Sequence, residues 1–83
     1  MEMNGMSGTT ELLRRITMHP DRMHGRPCIR DLRITVNDIL GMLAAGMSRE
    51  AILRDYPYLE GADIDAALAF AADHADHPVI TAE

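Results

Sequence analysis

The chain has 83 residues, 47% of them hydrophobic, and a net charge of −5, which suits one small domain and not two. No apolar run approaches the ~20 residues that cross a bilayer. The polar start lacks the basic and apolar regions of a secretory signal, and the single cysteine, Cys28, excludes both an internal disulfide framework and a multi-cysteine zinc site.

A cytoplasmic location is the expectation that follows. With two Tyr, one Phe and no Trp, the core must be aliphatic, drawn from eleven Ala, eight Leu, seven Ile and seven Met. A chain this short buries only roughly 60% of its unfolded surface, so a homodimer is expected. Charge is unevenly placed. Residues 1–33 carry six Arg against four acids, and residues 34–83 carry two Arg against nine. A basic front is thus joined to an acidic back.

Residues 1–13 read as a flexible arm, 14–76 as the single domain and 77–83 as a tail. The β element is placed at 14–34, where Arg15-Ile16-Thr17-Met18 alternates and includes β-branched residues. His19-Pro20-Asp21 breaks that strand, and Gly25-Arg26-Pro27 makes a second break. Cys28-Ile29 and Leu32-Arg33-Ile34 then read as two extended pieces around a turn at Arg30-Asp31. A small hairpin or ribbon fits this stretch.

Helical periodicity begins at Thr35. Helices are expected at about 36–45, 49–56 and 62–75. Thr35 or Asn37 caps the first, whose apolar face is Val36, Ile39, Leu40 and Leu43, and Gly46 stops it. Ser48 caps the second, which ends at Tyr56-Pro57. In the third, Ile64, Ala67, Leu68, Ala71 and Ala75 form one stripe, with Asp63, Asp65 and Asp73 off it. Ala66, Ala69 and Phe70 lie away from that stripe. Together with Tyr56 and Tyr58, Ala66 and Phe70 are the candidates for a dimer or partner interface. The expected fold class is α+β, a short N-terminal β-hairpin or ribbon followed by a three-helix bundle of helix-turn-helix type.

Residue chemistry points away from catalysis. Cys28 with His19 or His24 could form a nucleophile–base pair, but a lone Cys beside Ile29 in a strand reads first as a small buried hydrophobe. His74 and His77 could share a metal with Asp73 or Asp76, yet histidines at a helix C-terminus already complement the helix dipole. No phosphate-binding loop or nucleophile elbow is present, and no enzyme activity, metal or cofactor is expected. A base-reading role for the last helix is disfavoured too, since it holds carboxylates and no Arg, Lys, Asn or Gln.

The run Gly25-Arg26-Pro27-Cys28-Ile29-Arg30, then Arg33-Ile34-Thr35-Val36, then Leu43-Ala44-Ala45-Gly46-Met47-Ser48 resembles a small bacterial family, domain of unknown function 433. The continuation Ile52-Leu53-Arg54-Asp55-Tyr56-Pro57-Tyr58-Leu59 is similar too, so the resemblance spans roughly residues 16–72. Where that family usually has Gly-Thr after the Ile-Arg of the loop, this chain has Asp31-Leu32, and Asp tolerates a positive φ better than most residues. The resemblance implies a homeodomain-like helical core and a role as the antitoxin of a type II toxin–antitoxin pair, beside a PIN-like nuclease.

On that implication, Arg14, Arg15, Arg26, Arg30 and Arg33 are the candidate contacts to DNA or toxin. Guanidinium groups suit both phosphates and the carboxylates of a metal-binding nuclease pocket. The same arginines could instead pair with the chain's own acidic helices. A stand-alone DNA-binding regulator is the alternative function, and a scaffold that only dimerises is a third.

Overall fold

The structure, a computed structural model, describes residues 10–75. The expected arm up to residue 9 and tail from residue 76 lie outside the described residues. Residues 10–13 close a helical turn. Then come β1 (Ile16–Thr17), a 3-10 turn (Met23–Gly25), β2 (Cys28–Ile29), α1 (Val36–Ala44), α2 (Arg49–Asp55) and α3 (Gly61–Ala75). The fold is a two-stranded antiparallel ribbon followed by helices, an α+β domain. Among the described residues, no helix is long and apolar enough to cross a membrane.

The ribbon is held by few bonds. Ile16 pairs with Ile29 and Thr17 with Cys28. Arg30 N–H donates to the Arg15 carbonyl at 2.8 Å, and Ile29 N–H donates to Ile34 at 3.0 Å. Arg30 (φ 41°) and Asp31 (φ 63°) both take positive φ while Leu32 N–H closes on Ile29 at 2.7 Å. That is the primed turn whose twist matches a ribbon. Aspartate holds the second positive-φ position of this turn.

The expected strand at Leu32-Arg33-Ile34 does not form. Arg33 also has positive φ (63°), which interrupts an extended run, and only the isolated bridge Cys28–Thr35 continues the pairing.

Local chemistry explains the helix ends. Thr35 and Asp38 form a reciprocal capping box, with Asp38 N–H donating to Thr35 Oγ1 and Thr35 N–H donating to Asp38 Oδ2, both at 3.0 Å. Gly46 at φ 97° ends α1, with Gly46 N–H on Leu43 and Met47 N–H on Met42, a Schellman closure. Ser48 Oγ accepts from Ala51 N–H at the start of α2. Replacing Thr35 by Ala removes the acceptor of the Asp38 N–H and leaves only the backbone half of the box, residue 35 N–H to Asp38 Oδ2. The expected cost is about 1 kcal/mol, read as a lower urea midpoint with unchanged slope.

The core is aliphatic, with Ile29, Ile39, Ile52 and Ile64 fully buried and Ile34 and Val36 beside them. It lies between the ribbon, α1 and α3, with α2 closing one side through Ile52. The buried face of α3 differs from the expected stripe. Leu68 is 44% exposed, whereas Asp63, Ile64, Ala66 and Ala67 are at 0%. The buried face runs through Asp63, Ile64, Ala66 and Ala67, with Phe70 partly buried beyond them, so Ile64 and Ala67 of the expected stripe are in the core but the face starts on a carboxylate. An acid can hold such a position only when buried partners neutralise it.

Candidate functional site: arginines held in and arginines left out

Asp63 is the buried hub. Its Oδ1 accepts from Arg15 Nη1 at 3.0 Å and from Arg30 Nε at 2.9 Å. Its Oδ2 accepts from Arg30 Nη2 at 2.7 Å and from Glu60 N–H at 2.8 Å. The Arg30 contact is the bidentate fork that guanidinium and carboxylate geometry favours. Burial pushes the Asp63 carboxyl up, but the Arg30 bonds, the Glu60 N–H and Arg15 outweigh it and hold the carboxyl below the usual range.

The same arginines reach further. Arg15 Nη1 bonds Glu60 Oε1 at 2.9 Å, and Arg30 Nη2 lies 3.3 Å from the Tyr58 carbonyl. One carboxylate thereby ties the ribbon, the α2–α3 loop and the first turn of α3 into one piece.

A second hub forms on the outside of the ribbon. Asp31 Oδ1 accepts from Thr17 Oγ1 at 3.1 Å and faces His19 Nε2 at 2.9 Å, with Arg22 Nη1 at 3.7 Å. The Thr17 bond, helped by His19, keeps the Asp31 carboxyl below its ordinary range against the opposing effect of burial. His19 is therefore engaged with Asp31. Cys28 is buried, its Sγ donating to the Arg26 carbonyl at 3.3 Å, and burial raises its thiol pKa. A raised thiol is a poor nucleophile at neutral pH. His74 turns back on its own helix, with Nδ1 3.0 Å from the Phe70 carbonyl and its ring stacked on Phe70 at 4.1 Å. His77, its partner in the metal reading, lies outside the described residues.

The five candidate arginines do not make one surface. Arg15 and Arg30 are committed to Asp63, the internal use that the sequence left open. Arg14 is exposed and 3.6 Å from Glu11. Arg26 and Arg33 are exposed and make no ion pair among the described residues.

Arg33 lines a cleft of about 230 Å³ with Asp38, Met42, Tyr56 and Tyr58. The two tyrosine rings meet edge to face at 6.1 Å, and Tyr58 is 49% exposed. On its other side Arg33 shares a small recess with His19, Arg22 and Asp31. Of the expected interface residues, Tyr56 and Tyr58 flank this cleft and Phe70 lines a separate groove. Ala66 needs correction: it is fully buried in the chain's own core and has no surface to offer a partner.

Asp63 is the residue that sequence reasoning missed. The available signal was its place three residues after Glu60, where a carboxylate accepts a backbone N–H at a helix start.

Ribbon, clamp and helices thus define a small α+β module in which one buried carboxylate locks two arginines and others face solvent. The family model for "Protein of unknown function (DUF433)" matches residues 16–71, and the chain belongs to that family. No curated protein and no solved structure matches it.

Proposed function

We propose that this chain is the antitoxin of a type II toxin–antitoxin pair, which binds a PIN-like nuclease toxin and neutralises it. The observation that carries the reading is Arg33, exposed and without an ion pair among the described residues, flanked by Tyr56 and Tyr58. Exposed arginine and tyrosine are the residue types enriched where protein interfaces concentrate their energy. A guanidinium can bridge the carboxylates with which a nuclease holds its divalent ion, and so compete with the metal. The buried clamp supports this use, because it anchors the Tyr58 loop through the Arg30 contact to the Tyr58 carbonyl.

A second reading is a DNA-binding regulator without a toxin. It is favoured by Arg33, an exposed cation that could hold a phosphate, beside a recess in which Arg22 already lies 3.7 Å from Asp31. The start of α3 does not serve that reading, since Asp63 is buried and Asp65 pairs with Arg49 at 2.8 Å.

Both readings are tested by co-expressing the chain with the product of the neighbouring gene and purifying on either. The expected result is a stable complex whose nuclease activity is suppressed, and Arg33→Glu should abolish retention while Arg49→Ala leaves it intact. Absence of any complex would remove the antitoxin reading. A salt-sensitive mobility shift of promoter DNA by the chain alone would then favour the regulator.

A further inference from the structure

A groove of about 440 Å³ opens between the start of α1 and the end of α3. Its apolar floor is Pro27, Val36, Leu40, Phe70 and Ala71, and the exposed Arg26 borders it. Neither the buried clamp nor the Arg33 cleft uses it. We infer that this groove is a homodimer surface. Each of two copies of the chain seats the last turns of its α3 in the groove of the other, with Phe70 foremost and Asp73 beside it.

The surface is complementary to itself. Arg26 marks one edge, just ahead of β2, and makes no ion pair among the described residues. Asp73 belongs to the helix that forms the other edge, three residues past Phe70 and so its neighbour on the helix surface. A two-fold axis running along the groove exchanges these edges. It sets the Arg26 of each copy opposite the Asp73 of the other and brings the two apolar floors together. An isologous dimer requires such a patch, because every group must find its complement on an identical surface.

The setting of Asp73 favours a cation from outside the chain. It stands in the last turn of α3, where the negative end of the helix dipole opposes a carboxylate. Its side chain is 64% exposed, and its ion contact among the described residues is His74 Nδ1 at 3.9 Å, too far for a hydrogen bond. Apolar burial acts in the same direction. Phe70 and Leu40 are only partly covered by the chain's own core, and pairing removes more of both from water. A chain of this size has little core of its own, so the added burial matters.

The test is sedimentation equilibrium on the full chain with charge reversals. The expected result is a monomer–dimer equilibrium whose dissociation constant rises about tenfold or more for Arg26→Glu and for Asp73→Arg, since each reversal sets like charges together at two symmetric places. Arg49→Ala, which alters an exposed pair outside the groove, should leave the constant unchanged. Mixing equal parts of the two single variants should restore dimers, because a mixed pair sets opposite charges together at both places. That recovery separates pairing from any effect on folding. A monomer at every concentration overturns the inference. So does a dimer indifferent to both reversals, which would join through another face, and so does a mixture that fails to associate.

Discussion

Replacing Asp63 by Asn is expected to destabilise the domain by about 3–5 kcal/mol, the usual result of removing one partner from a buried ion pair. Every group that touches this carboxylate is a donor: Arg15 Nη1 and Arg30 Nε on one oxygen, Arg30 Nη2 and the Glu60 N–H on the other. An asparagine can present an acceptor to one side only. Whichever way the amide turns, its NH2 meets donors in a site with 0% exposure.

The loss is a large share of the total, because small domains hold only about 5–15 kcal/mol. Asp65→Asn is the matched control. It breaks an ion pair of similar length, 2.8 Å to Arg49, but at an exposed position. Its expected cost is about 0–1 kcal/mol. Urea unfolding of both variants measures the difference, and equal midpoints would show that the clamp adds nothing beyond a surface pair.

The same carboxylate predicts a pH dependence. Asp63 titrates below its ordinary range in the folded chain. Its stabilisation is therefore complete above the unfolded pKa and is lost as pH falls through the folded one. Stability should decline below about pH 4, with Asp31, depressed through Thr17 and His19, contributing in the same window. The profile of Asp63→Asn should be flatter over that range. A variant profile parallel to that of the unaltered chain would mean that Asp63 is not the linked group.

Arg33→Gly is expected to separate stability from binding. Arg33 sits at φ 63°, and left-handed backbone costs an ordinary L-residue roughly 1–2 kcal/mol. Glycine relieves that cost but has more freedom to lose on folding, about 0.4–1 kcal/mol. The net effect should be a gain of a few tenths to about 1 kcal/mol. On the proposed antitoxin reading, removing the guanidinium should at the same time weaken binding to the toxin partner by about 2 kcal/mol or more, roughly thirtyfold. Denaturation and calorimetric titration of the same preparation read the two effects. A variant that loses stability along with affinity would make Arg33 a structural residue and leave the cleft without its principal contact.

Much of the fold was legible because its signals are local. Thr35 and Ser48 as caps, Gly46 as the stop of α1, and the turn at Arg30-Asp31 all depend on neighbours a few residues away. The aliphatic character of the core followed from composition, and Ile39 and Ile64, two of the isoleucines at its centre, are residues the helical periodicity marked. The registration of α3 was less legible. Counting only apolar residues gave a stripe through Leu68, whereas the buried face begins at Asp63 and leaves Leu68 44% exposed. The extended run at Leu32-Arg33-Ile34 was misread for a related reason, since nothing local marks an arginine for φ 63°.

The candidate site divides in the same way. That the front of the chain is rich in arginine and the back in acids is plain from the order of residues. Which arginines are consumed is not. Arg30 meets Asp63 across 33 positions and Arg15 meets it across 48. Caps, turns and helical periods act over a few residues, so the chain wrote its own punctuation. Choosing the one acid to bury, and so deciding that Arg15 and Arg30 brace the domain while Arg33 stays exposed, took the packing of the ribbon against α3. Charge pairs over such separations have no local signature, and only the assembled fold brings the desolvated carboxylate and its donors together.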